Sequence, residues 1–378
     1  MRHRIRGAIA VLFVCLVGAG LAARQAAPQQ PPMAEDVYLN VQVLRGMPVD
    51  RFNDTMGMFA SALLLDCVGC HDPKITSDPK AFAAQTPRIM RARQMVVMMN
   101  ALNKQYFGGQ QRITCFTCHN GDPQPERSPS LRLQYTALVE DPTSIKFFPD
   151  VAAPPAEQTL AKYVQAMGGA GRLAGLTSFT GTGSYIGFET SDTEAPVQVF
   201  VRAPDQRALV VDIGGGKNLI YAFDGKAGWK YQPDTPVPLL ELTGSNLTGT
   251  RIDTMAFFPA ALAKAFAQWQ TGFATIDDKE VLALRGVNPG QNPANLYFDA
   301  SGLLIRMVRW NDTGAGPVPV QTDFSDFRDV AGVKMPYHWV TTWTNGQATI
   351  QLKEIRPNVA IDAARFARPN VAVTQRLR

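Results

Sequence analysis

The chain has 378 residues and a formal net charge of +5, with 46% hydrophobic and 18% charged residues. That length and balance allow two folded domains with sizeable cores and exclude a chain too polar to fold. Arg2, Arg4 and Arg6 supply three of the positive charges, and nothing beyond them forms the basic stripe of a nucleic-acid-binding protein.

Residues 1–23 read as a secretory signal. A basic start from Met1 to Arg6 precedes an apolar run from Ala8 to about Ala23. Small residues at Gly20 and Ala22 suit cleavage after Ala22, and Leu21 with Ala23 permits it one residue later. Left uncleaved, the run would anchor the chain in a membrane, although it is slightly short for a full span. Cys15 would mark a lipoprotein, but Phe13 and Val14 stand where small residues normally precede a lipid-modified cysteine. The expected compartment is the periplasm, with membrane attachment only if the signal is retained. Residues 24–34, rich in Gln, Pro and Ala, read as a disordered leader.

From Glu35 to Pro48 the chain is apolar and mostly non-helical by pattern. Asp50 is placed to cap a helix running to about Leu65, with Phe52, Met56, Phe59 and Leu63 on one apolar face. The helix runs into Cys67-Val68-Gly69-Cys70-His71. Pro87 opens a second helix to about Phe107, stopped by Gly108-Gly109, with Ala92, Met95, Met99, Leu102 and Tyr106 along one face. A short loop leads from it to Cys115-Phe116-Thr117-Cys118-His119. Residues 35–121 are therefore a tandem repeat of helix, loop and pentapeptide.

Each pentapeptide is C-x-x-C-H, the attachment pattern of a c-type haem. Two thiols three residues apart on one turn reach the two vinyl groups of one porphyrin, and the adjacent histidine reaches the iron. Paired cysteines also hold zinc or form redox disulfides, but neither use needs a histidine after both pairs. The expectation is two covalent haems, on Cys67, Cys70 and His71 and on Cys115, Cys118 and His119. Of the five cysteines only Cys15 lies outside these pairs, and it falls in the signal. This economy suits an oxidising compartment.

The sixth iron position decides between electron transfer and activation of small ligands. The remaining histidines are His3, in the signal, and His338, which reads as an ordinary strand residue. Methionines are better placed. Met56 lies on the apolar face before the first motif and Met95 on that before the second. A methionine stripe also fills cores, and Met98 and Met99 lie one turn on from Met95, so spacing does not choose among the three.

Residues 122–157 carry seven prolines and read as a linker. Residues 158–378 change to a strand pattern. Short runs at Ser178–Glu189, Val197–Arg202, Ala208–Ile213, Leu219–Phe223 and Trp229–Tyr231 precede a helical block expected from about Asp253 to Gln270. Runs at Val281–Arg285, Leu296–Asp299, Leu303–Trp310, Val318–Phe324, His338–Trp343 and Thr349–Ile355 follow it. The expected architecture is a mostly α two-haem domain, then an α+β domain with a curved antiparallel sheet, a half-barrel. Gly214-Gly215-Gly216-Lys217 lacks phosphate-loop spacing and reads as a turn. Trp310, Trp339 and Trp343 read as packing residues.

Met56-Gly57-Met58-Phe59-Ala60-Ser61-Ala62-Leu63 running into the first pentapeptide resembles the haem segment of the photosynthetic reaction-centre cytochrome c subunit family. So do Ala92-Arg93-Gln94-Met95, Asn103, and Ile113-Thr114 running through the second pentapeptide to Asn120-Gly121. The resemblance covers about residues 37 to 125 and implies Met56 and Met95 as the distal iron ligands. The full subunit of phototrophs carries four haems, whereas two motifs occur here, so the chain resembles a two-haem relative from outside phototrophs. The second domain resembles, through Lys162 to Gly169, Tyr297 to Leu304 and Val333 to Pro336, the periplasmic lipoprotein-carrier fold (LolA/LolB-like), which implies an apolar concavity. These resemblances imply an electron carrier with redox protein partners and no catalytic residues, whose second domain docks a partner or binds a lipid or other apolar ligand. The alternatives are a haem enzyme with one open iron acting on peroxide or a small substrate, and a lipid carrier with accessory haems.

Overall fold

A computed structural model describes residues 31–125, 127–128 and 153–371. The expected signal, most of the leader and most of the proline-rich linker lie outside the described residues. Alternation of apolar and polar residues writes one antiparallel sheet of thirteen strands. They are β1 (Ser178–Gly187), β2 (Ala195–Arg202), β3 (Gln206–Asp212), β4 (Asn218–Phe223), β5 (Gly228–Tyr231), β6 (Leu239–Glu241), β7 (Gln268–Ile276), β8 (Lys279–Val287), β9 (Ala294–Phe298), β10 (Leu304–Asp312), β11 (Pro317–Val330), β12 (Val333–Trp343) and β13 (Gly346–Pro357). In β2, for example, Val197, Val199 and Val201 are buried while Gln198 between them is exposed, which is the period of two that seats one face on a core.

The spatial order is β6-β5-β4-β3-β2-β1-β13-β12-β11-β10-β9-β8-β7. The chain meanders outward from β1 to β6, crosses to the far edge, and meanders back from β7 to β13. The first and last strands therefore pair at the middle of the sheet, with Phe179 opposite Pro357. The crossing is helical and carries the centre of the core. Phe257 meets Phe179, Phe324 and Trp339 at ring-centroid distances of 5.4, 6.3 and 5.7 Å.

The helices are α1 (Ala34–Val37), α2 (Val49–Leu63), α3 (Cys67–Cys70), α4 (Pro87–Tyr106), α5 (Cys115–His119), α6 (Ala156–Ala166), α7 (Ala170–Gly175), α8 (Gly244–Met255) and α9 (Pro259–Leu262). The helical block expected at Asp253 to Gln270 is corrected. The long helix ends at Met255, Pro259 starts a separate turn, and Gln268 already belongs to β7. Apolar spacing alone does not tell a short helix followed by a strand from one longer helix. Strand β7 escaped the sequence reading for the same reason, and β6, only three residues long, was missed as well.

Asp50 does not cap α2. Pro48 holds the cap position without a side-chain bond. The Asp50 carboxylate is buried and accepts instead from the Thr243 backbone at 2.7 Å, the Thr243 hydroxyl at 2.9 Å and Asn246 Nδ2 at 3.1 Å. The helix stops at Leu63 because Leu64 turns left-handed, with φ +46°.

These bonds make α2 the strut between the helical segment and the sheet. The β12–β13 turn reaches its flank at Gly57, where a Cβ would lie 2.8 Å from Thr344 Oγ1 and would push the turn's side chains away. The β10–β11 turn reaches it at Thr55, whose hydroxyl accepts from the Gly314 backbone at 2.9 Å. Two turns and a helix cap of the sheet region thus grip one helix of the segment that carries both pentapeptides.

Candidate functional site

Each pentapeptide folds as a single helical turn, which is why its residues project together. In α3 the Asp66 side chain caps the turn, accepting from Gly69 N at 2.8 Å, and His71 N closes it onto the Cys67 carbonyl at 2.8 Å. Thr86, which caps α4, also donates its hydroxyl to the Cys70 carbonyl at 2.6 Å, and Arg88 donates to the Gly69 carbonyl. In α5 a reciprocal capping box joins Thr114 and Thr117, and Asn120 ends the turn with φ +48°.

The first turn opens on a cavity of about 780 Å³. Met56, Phe59 and Leu63 of α2, Ala92 and Val96 of α4, and Cys67, Cys70 and His71 all line it. Met56 thus lines the same cavity as the first thiol pair and its histidine. The second turn is enclosed differently. Cys115 packs against a small core of Met58, Ala62, Met99, Ala315 and Val318. Asn103, buried in α4, holds the preceding loop with three bonds. It donates to the Ile113 carbonyl at 2.7 Å and accepts from Ile113 N at 2.9 Å and Arg112 N at 3.0 Å. The structure separates the three methionines of α4. Met99 is 4% exposed inside that core, Met98 is 45% exposed and Met95 is half-buried.

The donor set fits a covalently bound haem. Among the described residues the four cysteines form no disulfide, and no three His, Cys, Asp or Glu side chains converge as a chelating group. Burial pushes the Cys115 thiol up to about 11 and also raises Cys70, which disfavours the thiolates that zinc requires. His119 Nδ1 lies 2.9 Å from the Asp122 carbonyl, so it donates there and leaves Nε2 for a metal, the arrangement that fixes a histidine ligand. His71 Nδ1 is buried with no partner among the described residues. Burial lowers the pKa of this ring against the opposing effect of the Phe82 backbone, which favours the neutral, ligating form.

The cavity continues past α2 to the inner face of the sheet, and here lie residues the sequence reading missed. Glu189 accepts from Tyr185 at 2.6 Å, Tyr221 at 2.8 Å and Lys230 at 3.2 Å. Burial alone would raise its pKa, but the Lys230 ammonium and the two phenols outweigh it and hold the carboxyl below its ordinary range. Arg309 forms a two-pronged pair with Asp253, both bonds 2.8 Å, and donates to Asn311 at 2.6 Å. Burial pushes Asp54 up to about 6, with Asn246 pulling it down and Asp50 adding to the rise. Arg207 also lines the cavity. The signal for it was positional, since it stands on the inward-facing set of β3 with Leu209 and Val211. His338 is the half-buried strand residue expected, its ring 2.8 Å from Ser325 Oγ. Gly214 to Lys217 form the expected turn between β3 and β4.

Residues 19–134 match the family model of the photosynthetic reaction centre cytochrome C subunit, and residues 241–352 match a family of unknown function, DUF6544. A photosynthetic reaction center cytochrome c subunit from Thermochromatium tepidum is 30% identical over 105 residues, which are 27% of this chain and 25% of that protein. The chain thus matches about a quarter of the length of this curated relative. Among solved structures, a putative outer membrane lipoprotein-sorting protein domain from Vibrio parahaemolyticus is 12% identical and covers 56% of this chain and 97% of its own, with a TM-score of 0.39. A LolA superfamily protein from Nitrosomonas europaea is 13% identical and covers 57% and 98%, with a TM-score of 0.37. The resemblance drawn from residues 37 to 125 is borne out by the family match. Among the described residues no helix is long and apolar enough to cross a membrane.

Proposed function

We propose that the chain is a periplasmic two-haem c-type cytochrome that passes electrons one at a time between redox proteins. The observation that carries this reading is the common cavity wall of Met56, Cys67, Cys70 and His71. Covalently held haem would supply a one-electron iron couple, and a methionine ligand favours its reduced form, so both potentials should be high. Cys67, Cys70, Cys115 and Cys118 would hold the two groups, and His71 with Met56 and His119 with Met95 would be the axial pairs. The chain's own residues orient the histidines, exclude water with Phe59, Leu63 and Val96, and fix the helix that presents Met56. The haem segment would span residues 35–121, joined through 122–157 to the sheet region at 158–378. We read the sheet as a half-barrel that docks a redox partner or takes an apolar ligand.

A pyridine haemochrome assay with intact mass tests the reading, and two covalent haems per chain are expected. A mass lacking both would refute it. Met56→Ala and Met95→Ala should each abolish about half of the methionine–iron charge-transfer band of the oxidised protein. Ready binding of carbon monoxide or cyanide to the native protein would instead favour a haem enzyme with one open iron.

A further inference from the structure

Within the cavity, the charged groups on the sheet side are matched one to another with a single exception. Glu189 is met by two phenols and Lys230, Asp253 by Arg309, and Asp50 by Thr243 and Asn246. Among the described residues no hydrogen bond or ion pair joins the Arg207 guanidinium to another group. It lies 5.9 Å from the ring of Phe257, and Asp253 acts on it only at longer range. Burial lowers its pKa, yet its side chain keeps exposed surface, because that surface faces the cavity. An arginine stays charged in proteins, and its fork of five donors matches a carboxylate. The walls around it are apolar and aromatic, including Leu209, Trp229, Trp339 and Ile350.

We propose that this lobe binds an amphiphile with one carboxylate head, the head on Arg207 and the apolar body along the sheet. The lobe is one part of a cavity that measures about 780 Å³ in all, where small-molecule sites run to roughly 300–1,000 Å³. Among the described residues the unmet polar groups of the lobe, the Arg207 guanidinium and the Trp229 indole N–H, are donors, so the ligand must bring an acceptor, and a charged one offsets the buried cation best. A haem propionate is the other carboxylate to weigh. The lobe lies on the Asp54 side of α2, since Lys230 and Arg309 are among the charges that act on Asp54. Met56, Phe59 and Leu63 occupy the opposite helix face, which favours a free amphiphile. The site deepens the apolar-ligand reading of the sheet and does not depend on haem loading.

The test uses the full-length purified protein with oleate and, as the head control, oleyl alcohol. Binding is followed by tryptophan fluorescence and calorimetry in wild type, Arg207→Gln and Arg207→Lys. Wild type should prefer oleate by tenfold or more, the scale of one charge-assisted hydrogen-bonded pair. Arg207→Gln should lose that preference while still binding the alcohol, and Arg207→Lys should keep part of it. Equal preference in wild type and Arg207→Gln, or no binding of either probe by wild type, overturns the proposal. So does a shift of the haem potential in Arg207→Gln with no oleate binding by wild type, which would assign Arg207 to a propionate. If Arg207→Gln fails to fold, loss of preference must be read from Arg207→Lys, and an unchanged preference there counts against the site. A haemochrome on the same samples counts haem separately, so failure of the haem reading and of the ligand reading are distinguishable.

Discussion

The two pentapeptide turns share a sequence pattern and a fold, yet they sit in opposite surroundings. The first faces a cavity, and among the described residues the buried nitrogen of its histidine has no hydrogen-bond partner. The second is braced by Asn103, by the His119–Asp122 bond and, at Cys115, by a small core shared with the β10–β11 turn. One motif can therefore serve an adaptable site and an anchored one, and the difference is set by residues outside the motif.

The strongest way to break this comparison is to loosen the anchored side. Gly316 has φ +136°, and a Cβ there would lie 2.6 Å from Thr114 Cγ2 and 2.7 Å from Met58 Cε. Gly316→Val should therefore cost about 3 kcal/mol through backbone strain and overpacking. Thermal denaturation should show the loss, and a midpoint equal to wild type would mean that the turn does not brace the second motif. Asn103→Ala should cost about 2 kcal/mol, because it removes three bonds and strands partly buried backbone groups at Arg112 and Ile113. Imidazole should then enter the second site more readily while the first is unchanged. Equal entry at both would erase the distinction.

On the open side, Glu189→Gln should cost about 2 kcal/mol by leaving Lys230 unpaired, less than for a fully buried pair because Lys230 is 30% exposed. The Glu189 carboxyl is held below its ordinary range in the fold. Its contribution is thus complete above the unfolded pKa of about 4.3 and is lost as pH falls through the lower folded value. Wild type should accordingly lose more stability than Glu189→Gln across that acid window, and parallel pH profiles would exclude this role. The smallest effect is expected from Thr86→Ala, which removes the cap of α4 and its bond to the Cys70 carbonyl. About 1 kcal/mol should be lost, and a change confined to the second motif would contradict the assignment of Thr86 to the first.

Local features were the legible ones. Both pentapeptides, the helix from Pro87 with its stop before Gly108-Gly109, and the face bearing Met56 follow from spacing, because helix periodicity and turn chemistry act over a few residues. Most strands followed from alternation. The pairing of β1 with β13 did not, since no local pattern states which distant strand is a neighbour. Asp50 shows the same limit. It reads as a cap because its partners, Thr243 and Asn246, lie almost two hundred residues away and are invisible to any window. Arg207 was missed because a single charge in an apolar alternation is ordinarily taken for a tolerated exception, whereas here the space before it explains it.

The grip on α2 has a consequence for timing. Its bonds to the sheet link Asp50 to Thr243 and Thr55 to Gly314, spans of 193 and 259 residues. Both pentapeptides leave the ribosome long before the strands that will enclose them, and closing such long loops is a late event. The interval leaves the four cysteines of the two short turns open to reaction. Once β10 and β11 arrive and seat their turn beside Thr114, that opportunity ends at the second motif first. Assembly order is thus written into the distance between a helix and the turns that hold it.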